Sequence, residues 1–97
     1  MTKTLEERLY SGDRAKEVLE NEVFIAAFDD IEKEVIETWT KTPARDDTGR
    51  ERCYQYLMML RKVKAHLTTT LETGKLAQME LQHRQTLADR LKAGLGF

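Results

Sequence analysis

The chain has 97 residues, of which 40% are hydrophobic and 34% are charged, with one proline and five glycines. This length allows one domain, and the composition is typical of a soluble, largely helical protein rather than a disordered tail. Sixteen basic and seventeen acidic residues give a net charge of −1, without the basic excess that general nucleic-acid and membrane-surface binders carry. We therefore predict a single helical domain over residues 1–97.

Cysteine usage and hydropathy indicate the compartment. Cys53 is the only cysteine, so no disulfide can form within one chain. The residues after Met1 lack the apolar run of a signal peptide, and no segment approaches the ~18 consecutive apolar residues of a membrane span. We expect a reducing, intracellular compartment and no membrane partner.

The first predicted element is a short N-terminal helix. Residues 5–10 form an amphipathic piece that Ser11 and Gly12 interrupt. Asp13 can cap a further turn, and whether this turn joins the next helix stays open, because Asn21 can either cap a helix or lie inside one at little cost.

The second predicted helix covers residues 22–40. Its apolar side chains recur every three or four residues, at Phe24, Phe28, Ile31, Val35 and Trp39. Pro43 cannot continue this helix, and Thr48 with Glu51 has the spacing of a capping box that starts the next one. The sequence thus predicts a tight turn between two helices.

A third predicted helix runs from about residue 49 to 73. Its seam has coiled-coil spacing and consists of Cys53, Tyr56, Leu60, Val63, Leu67, Thr70 and Gly74. Threonines and a glycine lower helix propensity near Gly74, which predicts a bend or break there. A C-terminal helix then follows over about residues 75–93.

These elements predict an all-α fold: an antiparallel helical hairpin over about residues 22–73, with a short N-terminal helix and a C-terminal helical extension. The expected central core is Phe28, Ile31, Val35, Leu60, Val63 and Leu67. Because the second arm is longer than the first, part of its stripe needs cover from the N-terminal segment or from another chain. We predict a homo-oligomer whose partner interface contains Leu76, Met79, Leu87 and Leu91.

Charge is unevenly placed along the two arms. Residues 20–37 hold seven acids and one base, and residues 50–66 hold five bases and one acid. One interpretation is cross-helix complementarity that favours the antiparallel pairing, with each exposed ion pair contributing about 0 to 1 kcal/mol. The other is a basic face that contacts phosphates or an acidic protein surface, formed by Arg45, Arg50, Arg61, Lys62 and Lys64.

Candidate chemistry is sparse. Glu80 and His83 have the Glu-x-x-His spacing of bundle metal sites, but those sites need a second such pair and two further carboxylates. Cys53 lies on the predicted seam, where a buried packing thiol is expected rather than a nucleophile. Trp39 is expected to pack near the start of the next helix. We predict no enzyme activity, no cofactor and no metal.

Several segments between about Leu9 and Leu81 resemble small helical proteins encoded in the virion-assembly gene clusters of tailed bacteriophages and prophages. The segments are Tyr10–Ala15, Trp39–Asp46 with Gly49–Glu51, Val63–Leu67 and Thr70–Ala77. The resemblance implies the host bacterial cytoplasm during assembly, or the virion itself, and a non-enzymatic role in building the particle through association with itself or with larger virion proteins. The alternative is a DNA-packaging accessory factor, similar to a small terminase subunit, that contacts nucleic acid through the basic helix face.

Overall fold

The computed structural model describes residues 3–94 and contains three α-helices there, with no strand in that range. Helix α1 spans Leu5–Leu19, α2 spans Glu22–Lys41 and α3 spans Asp47–Gly94. The predicted all-α class is confirmed. The expected end of the last helix, at residues 94–97, lies mostly outside the described residues.

Helix α3 forms the long axis of the molecule, and α1 and α2 lie along it one after the other. Its 48 residues correspond to about 72 Å at 1.5 Å per residue, close to the longest extent of 77 Å. Helices α1 and α2 both pack on α3 and barely touch each other. The chain is therefore an extended rod, with two short helices sharing one long support.

Helix α2 packs on the first half of α3. Glu32 forms an ion pair with Arg61 at 3.3 Å, and the Trp39 and Tyr54 rings meet edge-on with their centroids 6.2 Å apart. Residue numbers rise along α2 as they fall along α3, so the two helices are antiparallel where they touch. The predicted packing of Trp39 near the start of the following helix is confirmed.

Helix α1 packs on the second half of α3, also antiparallel. Arg8 pairs with Glu80 at 3.2 Å, and Gly12 lies directly against Gly74. A Cβ atom on either glycine would lie 2.7 Å from the Cα atom of the other, so the two backbones meet where neither residue has a side chain. Ala15 and Ala77, one turn further along each helix, are also buried.

This contact corrects two predictions. Ser11 and Gly12 do not interrupt α1, and α3 continues through Gly74 without a break, so no separate helix over 75–93 exists. Glycine weakens an isolated helix by about 1 kcal/mol, but here the close approach of two helices compensates for that cost.

The caps explain where the helices begin. The Asn21 side chain accepts hydrogen bonds from the backbone amides of Val23 and Phe24 at 2.9 and 3.0 Å, which confirms it as the cap of α2. The predicted Thr48 capping box is wrong. Asp46 accepts from the Gly49 amide at 2.9 Å, so α3 begins two residues earlier than a Thr48 cap would require.

The buried apolar residues of the described chain are few: Ala15, Cys53, Leu57 and Ala77. Cys53 is buried as predicted. The predicted central core is wrong, because none of its six members is buried and α2 contains no buried residue. One layer of helix against α3 covers only one side of each stripe, so those side chains remain at a surface.

Candidate association surfaces

An open groove between α2 and α3 is lined by apolar side chains. The residues along it are Ile31 and Val35 from α2, and Tyr56, Met59, Leu60 and Val63 from α3. Ile31 and Val63 are 42% and 43% exposed, and Met59 is 59% exposed. These side chains follow one another at helical spacing on both walls, so the pattern that predicted a core instead produces a continuous apolar surface.

The groove extends in both directions along α3, and its α2 side and its α3 side carry opposite charges. Toward the α2–α3 turn its walls include Glu34 and Thr38. Toward the middle of α3 they include Lys62, His66 and Leu67. We call the whole surface the α2–α3 groove, and its rim thus has an acid on α2 and a base on α3.

The predicted C-terminal stripe is exposed along its whole length. Leu76 and Met79 are each 63% exposed, because α1 covers the opposite side of α3, where Gly74 and Ala77 are buried. Leu87 and Leu91 lie beyond the reach of α1, and every residue from Gln82 to Gly94 is exposed. The stripe is available to a partner and makes no core within the chain.

The predicted basic face is partly used within the chain. Arg50 pairs with Asp47 on the same helix, and Arg61 pairs with Glu32 across to α2. Arg45, Lys62 and Lys64 are exposed. The Arg61–Glu32 pair is the cross-helix complementarity expected from the charge layout. It also places an acidic helix directly beside these bases, which weakens their attraction for phosphate.

The Glu80 carboxylate holds α1 against α3. It accepts from Arg8 at 3.2 Å and from Arg84 at 2.7 Å, so both of its oxygens are engaged by guanidinium groups. Within the described residues, no group of three or more histidine, cysteine, aspartate or glutamate side chains is placed to hold a metal ion. The Glu80 side chain therefore helps to hold α1 on α3.

Sequence reasoning missed the Gly12–Gly74 contact and the α2–α3 groove. The first has a signal in retrospect, because glycine and alanine recur three residues apart on both helices, at Gly12 with Ala15 and at Gly74 with Ala77. For the groove, the sequence identified the apolar residues correctly but predicted that they would be buried. Periodicity identifies which face is apolar and does not show whether one helix or two will cover it.

No helix in the described part of the chain is long and apolar enough to cross a membrane. Comparisons with protein-family models, with curated proteins and with solved structures found no match.

Proposed function

We propose that this protein is a non-enzymatic structural or assembly protein that acts by helix–helix association with itself or with larger particle proteins. The observation that carries the proposal is the free end of α3. Its residues from Gln82 to Gly94 are all exposed and include Leu87 and Leu91 at helical spacing. An isolated helix of that length is marginal in water, so a partner that covers the leucines would stabilise it.

The resemblance to virion-assembly proteins of tailed phages supports a role for this association in building a phage particle. The protein would then act in the host bacterial cytoplasm during assembly or in the virion. Helices α2 and α3 serve as an antiparallel hairpin, and α1 braces the second half of α3 so that its end projects. A rod of this kind can reach from one particle protein to another.

The energetics favour a partner. Burying apolar surface contributes about 25 cal/mol per Å², and Leu76, Met79, Leu87 and Leu91 are each more than two-fifths exposed in the single chain. An interface that covers them should bury more than ~1,000 Å² in total if it is biological.

Sedimentation equilibrium of the complete chain tests the proposal, because it reports mass independently of the elongated shape. We expect a mass above the 11.3 kDa of one chain, or a complex with a larger particle protein, and we expect Leu87→Glu with Leu91→Glu to remove the association made through the C-terminal stripe while helicity is retained. The matched control is Gln82→Glu with Gln85→Glu, which adds the same two charges to the same segment without removing apolar surface.

Two outcomes would contradict the proposal. A double leucine variant that associates as well as the unmodified chain would remove the role of the C-terminal stripe. Salt-sensitive binding to duplex DNA that is lost when Arg61, Lys62 and Lys64 are neutralised would replace the proposal with the DNA-packaging alternative.

A further inference from the structure

We infer that the α2–α3 groove is the interface between two copies of this chain. The copies pair about a two-fold axis parallel to α3, so that α2 of each copy lies over the first half of α3 of the other. The inference rests on the proposed function, because both require association through helices, and it names the partner at a surface separate from the C-terminal stripe.

The shape of the groove favours a helical occupant. Met59 and Val63 line both the part beside α2 and the part toward Leu67, so the apolar floor continues along several turns of α3. One wall is α2 itself, which has no buried residue. A second helix pair laid on this layer would complete a four-helix bundle, the arrangement in which two-helix layers bury their stripes.

Charge complementarity selects a second copy and its orientation. Residues 20–37 are strongly acidic and residues 50–66 are strongly basic, and these are the segments that form the two walls. If α2 lay over α2 of the other copy, acids would face acids. A two-fold axis parallel to α3 exchanges the α2 side and the α3 side of the layer without shifting either copy along the axis. Each acidic α2 therefore lies over the basic part of α3 in the other copy and runs antiparallel to it.

The rim provides a specific contact for this arrangement. Glu34 lies on the α2 side of the groove and Lys62 on the α3 side. Because Glu32 pairs with Arg61 where the two helices run antiparallel, Glu34 and Lys62 lie within about one helical turn of each other along α3. In the pair, Glu34 of each copy approaches Lys62 of the other, so the contact occurs twice. Neither residue forms an ion pair with another described residue of its own chain.

The available area is sufficient for a specific dimer. Helix α2 has 20 residues and is about 30 Å long, and two packed helices are about 20 Å wide. Covering that face buries roughly 600 Å² on each copy, or about 1,200 Å² in total, which is the lower end of the range for specific interfaces.

Charge reversal tests the pairing. Glu34→Lys alone places bases at both rim positions, and Lys62→Glu alone places acids at both, so each variant repels its own copies. We expect each to weaken self-association about tenfold or more in sedimentation equilibrium. An equimolar mixture of the two variants should recover the affinity of the unmodified chain, because both rim contacts are then between opposite charges. No other partner predicts that recovery.

An apolar test compares two exposed hydrophobic positions, one inside the groove and one outside it. Met59→Glu places a charge in the groove and should abolish pairing through it, whereas Ile36→Glu makes the same change at an exposed position of α2 that does not line the groove and should leave the pair intact. Circular dichroism checks that both variants keep their helicity.

Three outcomes would overturn the inference. They are a monomeric unmodified chain at millimolar concentration, no recovery in the mixture, or a Met59→Glu chain that still pairs. If pairing persists in Met59→Glu and is lost in Leu87→Glu with Leu91→Glu, the proposed function stands without this interface. If the mixture recovers and the leucine variant pairs normally, the interface stands and the C-terminal role fails.

Discussion

Gly12 and Gly74 determine how closely α1 approaches α3. Their Cα atoms face each other so tightly that a Cβ on either would lie 2.7 Å from the other backbone. Ala15 and Ala77, one turn further along their own helices and so on opposite sides of the crossing, are also buried. Single methyl groups at this crossing are therefore expected to push the two helices apart.

Gly74→Ala should lower the free energy of unfolding by about 1 to 3 kcal/mol, although alanine is the better helix former, because the contact with α1 is lost. Gly94→Ala is the matched control, since a Cβ there meets no atom within 4 Å, and it should change stability by less than about 0.5 kcal/mol. Urea unfolding measures both. Equal stability of the two variants would show that the close approach contributes nothing.

A second residue-scale prediction concerns the start of α3. Asp46→Ala should cost about 1 kcal/mol, because the Gly49 amide loses its acceptor. Thr48→Ala should be nearly neutral, since Thr48 is exposed and lies inside the first turn. Chemical denaturation that found the larger loss at Thr48 would restore the capping box that the sequence predicted.

At the scale of single elements, helix existence was predictable and packing was not. Helix α2 was expected over residues 22–40 and spans Glu22–Lys41, because Asn21 and Pro43 bound it by local chemistry. The same local logic failed at Gly12 and Gly74, where low propensity predicted breaks. The compensating contact joins residues 62 positions apart, and no local pattern carries that information.

For the candidate surfaces, too, the sequence predicted which residues are apolar but not whether they are buried. The sequence identified the apolar stripes of α2 and α3 and the exposed leucines after Gly74. It predicted burial for Ile31, Leu60 and Val63 because it assumed that a facing stripe closes a core. Two helices cannot enclose a core between them, so these side chains line a groove, and the buried residues in this half of α3 are Cys53 and Leu57.

Leucine truncations on α3 test this distinction. Leu57→Ala should destabilise the chain by about 2 to 5 kcal/mol, because Leu57 is only 6% exposed. Leu60→Ala should cost less than half as much when the chain is monomeric, since one side of Leu60 already contacts water. Denaturation of dilute protein measures both, and a larger loss at Leu60 would indicate that the groove is closed in the monomer.

At the scale of the whole molecule, the chain departs from a globule. Its Cα radius of gyration is 21.5 Å, whereas a compact domain of this length has about 13 Å. The difference arises because α3 is one helix and because α1 and α2 lie end to end along it rather than side by side. The surface that a globule would bury is thus left exposed.

Small-angle X-ray scattering should therefore give a radius of gyration above about 20 Å, both for the Met59→Glu chain and for the unmodified chain. A pair formed side by side about an axis parallel to α3 widens the rod without shortening it, so the longest dimension should stay near 77 Å. A value near 13 Å would mean that α3 bends back on itself in solution.

The tandem placement of α1 and α2 on α3 also dictates an order of assembly during folding. The Glu32–Arg61 contact closes 29 residues, and the Arg8–Glu80 contact closes 72. Since shorter loops lose less chain entropy on closing, α2 should dock first and α1 last. Substitutions at the Gly12–Gly74 crossing should then accelerate unfolding and leave the folding rate nearly unchanged. The packing of α1 on α3 would thus determine how long the folded state persists before it unfolds.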